Sequence, residues 1–146
     1  MNETRNPLGE KVRKGVCEVL YFRVADLLEL ALRAKQAHWN VRGKEFGVLH
    51  EVFGGVAEAA WGYADDVAER VVQLGGSVVG SVEGKKVEVG DGAPLGYVTG
   101  LVGDVVAFVR GTVTLAEAAG DQVTMNLLID VQQGLEKWLW KLEASK

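Results

Sequence analysis

Apolar residues recur along this chain in steps of three and four. The first stripe runs Val24, Leu27, Ala31, Ala34 and His38, the spacing of one buried helix face. Asn40-Val41-Arg42-Gly43 interrupts it, with Gly43 suited to a left-handed turn. A second helix is predicted over 44–74 through Phe46, Leu49, Phe53, Val56, Ala60, Val67 and Val71, and Gly75-Gly76 ends it. The third carries Val98, Leu101, Val102, Val105, Phe108, Val109 and Leu115, and closes at Gly120. The fourth opens on Asp121 as N-cap and carries Met125, Leu128, Val131, Leu135, Trp138, Leu139 and Leu142.

Between the second and third stripes lies SVVGSVEGKKVEVGDGA, residues 77–93. Its frequent glycines and poor periodicity mark a crossover rather than a helix, with room for a short strand at Val87–Val89. Pro7 and Pro94 each precede a periodic segment, where a first-turn proline costs little. Four helices with tight first and third turns and one long central crossover describe an all-α, ferritin-like four-helix bundle. Glycines work against it. Gly54, Gly55, Gly62, Gly103 and Gly111 fall inside predicted helices, each at ~1 kcal/mol against alanine. Packing or assembly must compensate, or a helix bends there.

The 146 residues suffice for one domain, 1–146, with a real core. No apolar run approaches the ~18 to 20 residues of a membrane span, and the polar start MNETRNP has no signal-peptide core, so a cytoplasmic, non-membrane protein is expected. Cys17 is the only cysteine, which excludes an intrachain disulfide or a cysteine-based zinc site. A net charge of -4 argues against non-specific nucleic-acid binding by the surface at large.

The chemistry centres on "AKQAHWNVRGKEFGVLH", which holds both histidines, His38 and His50, on either side of one turn. Packing explains such a pair; so does a shared metal site. On an ideal wheel, Gly54, Glu58, Trp61, Asp65 and Glu69 fall within ~100° of His50. His50 and Asp65 are nevertheless ~22 Å apart along that helix and cannot meet on one ion within it. Two copies packed antiparallel about a two-fold axis would bring His50 of one to Asp65 and Glu69 of the other. Two imidazoles and two carboxylates suit divalent iron or zinc.

"KQAHWNVRGKEF--LHE", followed by "D--AER-VQLGG" (Asp65 to Gly76), resembles the Dps-type mini-ferritins, and "LEKWLW" at 135–140 resembles their closing helix. The resemblance implies a hollow dodecamer built from two-fold dimers, with a ferroxidase site at each dimer interface. There ferrous iron is oxidised, preferentially by hydrogen peroxide and otherwise by dioxygen. Ferric mineral collects inside, protecting against oxidative stress. His38 and His50 would come from one subunit, Asp65 and Glu69 from its partner, with Glu69 bridging two irons; zinc is a substitute. Trp39 and Trp140 match aromatic positions that would intercept radicals, with ordinary packing as the alternative. Asp121 lies where relatives line an iron-entry pore, or is simply an N-cap. Asp66 and Arg70, at i and i+4, fit a structural ion pair.

Two departures stand out. Relatives carry an aspartate one turn after the second histidine, where this chain has Gly54; an aspartate there would point toward the ion at His50, and Glu58, a turn further on, is the candidate replacement. The family's mobile basic tail is missing from a start whose only basic residue before Pro7 is Arg5, so DNA binding should be weak or absent even if the shell sits near the nucleoid. The alternative function is a protective or DNA-associated shell with weak ferroxidase activity.

Overall fold

The computed structural model describes residues 1–80 and 94–146. Four helices follow in order: α1 (Glu10–Asn40), α2 (Phe46–Gln73), α3 (Pro94–Ala118) and α4 (Gln122–Glu143). The four-helix bundle is the expected one. α1 packs most extensively on α2 and α3 on α4, while α1 against α3 and α2 against α4 complete the square. α2 and α3 therefore sit at diagonal corners. Residues 81–93, including the strand considered at Val87–Val89, lie outside the described residues.

Local chemistry explains the helix ends. Gly75 (φ 88°) and Gly120 (φ 71°) adopt the left-handed conformation expected of C-terminal caps. At the first, Gly76 N–H donates to Val71 O and Gly75 N–H to Val72 O; at the second, Asp121 N–H donates to Ala116 O. These bonds occupy carbonyls that a terminated helix leaves without partners. Gly43 (φ 98°) turns α1 back onto α2. Pro94 is the first residue of α3, where its missing N–H is not needed.

The core is built from Leu20, Leu27 and Leu30 of α1, Phe53, Val56 and Val67 of α2, Val98, Val102 and Val109 of α3, and Leu128, Val131, Leu135 and Leu142 of α4, all fully buried or nearly so. Three residues assigned to buried stripes are instead exposed: Phe46, Phe108 and Leu115. Phe46 lies at the edge of α2 with its ring against His50, and Phe108 carries the Arg23 guanidinium over its face. Apolar spacing marks a helix side; it does not say whether a neighbour covers it.

α3 modifies a second expectation. By length and composition alone it is long and apolar enough to cross a membrane, a test that a core helix of a bundle also passes. Here it is one wall of the bundle, interrupted by Asp104 and Arg110.

Three interior glycines have a packing reason. A Cβ at Gly55 would stand 2.3 Å from the Trp138 ring, and one at Gly134 would stand 1.9 Å from the Tyr63 hydroxyl. Gly54 faces His38. The open space around Gly62, Gly103 and Gly111 leaves those three unexplained by the fold.

The start of the chain lies against the end of α2. Asn2 N–H donates to Gly75 O at 2.6 Å, and buried Arg13 donates from Nη1 to Leu74 O at 2.9 Å and from Nε to Leu8 O at 3.0 Å.

Candidate metal centre

The five-residue gap between α1 and α2 brings the two histidines together. Their rings stack with centroids 3.6 Å apart and planes 21° from parallel. Each holds the other's backbone: His38 Nδ1–H donates to His50 O at 2.6 Å, and His50 Nδ1–H to His38 O at 2.8 Å. The bond to His38 O also satisfies a carbonyl that the end of α1 leaves free. With Nδ1 as donor to a carbonyl, the neutral ring carries its lone pair on Nε2. A backbone carbonyl on the other ring nitrogen is the usual support of a metal-binding histidine.

The stacking limits how the pair can act. A ligand lone pair lies in the ring plane, and two nearly parallel planes 3.6 Å apart do not share an ion between them. The geometry therefore favours one ion per imidazole over two imidazoles on one ion. Adjacent ions of a two-metal site lie ~3.5–4 Å apart.

Both histidines open into a groove of about 990 Å³ between α1 and α2. Glu58 and Glu51 line it beside apolar Leu32 and Trp61. Leu32 is 51% and Trp61 65% exposed, an unusual state for two such large side chains lining one groove. Glu51 and Lys35 were not foreseen as neighbours of the site.

Asp65 and Glu69 do not join this group in one chain. They are exposed residues of the same unbroken helix, and fifteen residues of helix separate His50 from Asp65 by ~22 Å. Among the described residues, no group of three or more potential metal ligands forms within a single chain.

The structure also sorts the remaining candidate residues, and Asp121 is the N-cap expected of it. Asp121 accepts from Thr124 N–H at 3.0 Å as the N-cap of α4 and pairs with Arg70 Nη2 at 2.8 Å. At 2% exposure it offers no carboxylate to a pore. Arg70 thus pairs with Asp121 rather than with Asp66, and its Nε also donates to Thr124 Oγ1 at 2.8 Å. Gly54 is more than a missing ligand, because a Cβ there would point at the His38 ring, 3.0 Å from Nδ1 and 3.2 Å from Cε1. Trp39 and Trp140 are both largely exposed; Trp138, seated on Gly55 with Lys141 Nζ 4.4 Å above its ring, is the tryptophan that packs beside this part of α2.

Comparison with known proteins agrees with this architecture. The ferritin-like domain family matches residues 18–145. A DNA protection during starvation protein from Agrobacterium fabrum is 31% identical, covering 98% of this chain and 94% of the relative. Dps from Mycobacterium smegmatis superposes with a TM-score of 0.90 at 29% identity, over 99% of this chain and 93% of that one. Dps from Microbacterium arborescens in the high iron form gives 0.86 at 26% identity, over 97% of each. A family match across nearly the whole bundle, together with likeness to these relatives along their full length, makes the chain a Dps-type mini-ferritin of the ferritin-like family.

Proposed function

We propose that this protein oxidises and stores iron at a site shared between two subunits. His38 and His50 of one subunit face Asp65 and Glu69 of the partner subunit, with two ferrous ions as substrate between them. The observation that carries the reading is the histidine pair itself: both Nδ1 positions are engaged with backbone carbonyls, and both rings line one groove. The apolar rim of Leu32 and Trp61 supports a second copy as the groove's cover. An antiparallel two-fold pairing of α2 brings the half-sites together at both ends of the contact.

Each residue has a defined task. Nε2 of His38 and of His50 each bind one ion. Glu69 of the partner subunit bridges the two ions, and Asp65 of the partner subunit adds a further oxygen. Glu58, which lines the groove, supplies oxygen where Gly54 has none. Two ferrous ions give one electron each to one hydrogen peroxide; with two protons taken up, two ferric ions and two waters result. Pairing the electrons avoids the one-electron cleavage that releases hydroxyl radical. Dioxygen is the slower oxidant. The relative from Microbacterium arborescens, described in a high iron form, supports iron as cargo. A hollow dodecamer in the cytoplasm, holding ferric mineral and guarding against peroxide, completes the proposal.

One observation favours the alternative, a protective shell with little turnover: Gly54 leaves the helix without the oxygen donor that relatives carry there. Ferrous iron and then peroxide, added to pure protein and followed by near-ultraviolet absorbance, separates the two. Rapid ferric absorbance that His50→Ala abolishes supports the enzyme, and an unchanged slow rise supports the shell. Light scattering alongside should give about twelve times the 15.7 kDa chain mass.

A further inference from the structure

We infer that Gly54 is a positioning residue for His38, and that its bare backbone, rather than a missing carboxylate, is what this site uses. The inference rests on the proposed metal-binding role of the histidine pair, but its geometry stands without any metal. The His38 imidazole is confined on three sides. His50 stacks on one face at 3.6 Å. His50 O fixes Nδ1 at 2.6 Å. The α2 backbone at Gly54 lies so close that an added Cβ would meet Nδ1 at 3.0 Å and Cε1 at 3.2 Å.

A methyl group at 54 must push the ring by a few tenths of an ångström. The stack blocks one direction, so the ring tilts and stretches its hydrogen bond. The helix cannot turn to make room, because the next residue, Gly55, lies against Trp138, 2.3 Å from where its own Cβ would be. Two successive glycines thus face two aromatic rings, one from α1 and one from α4. Any side chain at 54, aspartate included, enters the space that keeps His38 on His50 with Nδ1–H bound and Nε2 free. With no donor at position 54 itself, the ion is left to Glu58 and to solvent or oxidant.

The test uses the assembled protein with Gly54→Ala and Gly54→Asp. With only two histidines in the chain, imidazole-labelled protein shows two ring signals by NMR. In the metal-free state Gly54→Ala should move the His38 signal and weaken its Nδ1–H tautomer signature. Cobalt(II), which reports nitrogen donors by its visible bands, should bind about tenfold more weakly to both variants, the size expected when a support of a metal-binding histidine is lost. An unchanged pair of ring signals in Gly54→Ala, or tighter cobalt binding by Gly54→Asp than by wild type, would overturn the inference. If cobalt moves neither ring signal of the wild type, the proposed metal site fails, while the metal-free comparison still decides the role of Gly54. Should Gly54→Ala destabilise the bundle, the loss should vanish in a His38→Ala background, where the ring is gone; equal loss in both backgrounds would also overturn it.

Discussion

Arg70 on α2 and Asp121 before α4 form a buried ion pair, 2.8 Å between Nη2 and Oδ1, with side chains 7% and 1% exposed. Thr124 joins both: it accepts from Arg70 Nε and donates its N–H to Asp121. The pair clamps α2 to the turn between α3 and α4. Breaking one side strands a buried charge, so Arg70→Met should cost about 3–5 kcal/mol in a denaturant titration. Asp66→Asn, one helical turn away and exposed, should change stability by less than about 0.5 kcal/mol.

An intersubunit site has a distinctive signature in mixed assemblies. His50→Ala and Asp65→Ala should each abolish iron oxidation alone. After random subunit exchange, a mixed dimer holds one intact and one doubly broken site, so roughly a quarter of sites should recover. Verified heterodimers with no regained activity would rule out the arrangement.

Glu58 stands on the groove wall while Gly54 offers no oxygen. An anaerobic ferrous titration of the wild type should therefore show one tight ion per site and a weaker second. Glu58→Gln should remove the second ion and leave the first. Oxidation at low iron should slow accordingly, because two electrons require both ions.

DNA affinity should be poor at physiological salt. The net charge is -4, and the first residues, with Arg5 as their one basic side chain, lie on the end of α2 through the Asn2–Gly75 hydrogen bond. Few phosphates would be neutralised, and those contacts are screened within about 8 Å at 0.15 M salt. A mobility-shift titration under those conditions should show no submicromolar complex.

Cys17 should resist alkylation in the native protein. Its side chain is 1% exposed, and burial pushes the thiol above its ordinary range, outweighing the hydrogen bond from Gly76 and the nearby Arg13. Since the thiolate is the reactive form, iodoacetamide at pH 8 should label Cys17 only after denaturation. Raising the pH through the unperturbed thiol range should add little labelling while the fold holds.

What was legible in the sequence was what is local. Gly75, Gly120, Asp121 and Pro94 announce helix ends through their own backbone and side-chain preferences, and each sits where those preferences place it. Interactions between distant segments were not legible. Arg70 has an acidic neighbour at i-4 but finds its partner 51 residues away, where burial makes the pair far stronger. Phe108 and Leu115 keep helical spacing yet face outward, because periodicity cannot tell a covered face from an open one. Gly54 reads as an absent aspartate until the His38 ring is seen against it. The histidine pair was legible through its spacing about one turn, and the family motif gave it a chemical meaning that spacing alone did not.

The short turn at Gly43 also sets an order of events during synthesis. His38 and His50 are 12 residues apart in the chain, so their contact needs only a small loop and one helical hairpin. Contacts this local form early and fast. Under the proposed arrangement the carboxylates arrive only with a second chain. A nascent or solitary subunit then carries a finished imidazole pair with no acidic counterpart, and grips ferrous iron poorly. Association completes the reaction centre, so iron oxidation begins where a shell is already being built to receive the product.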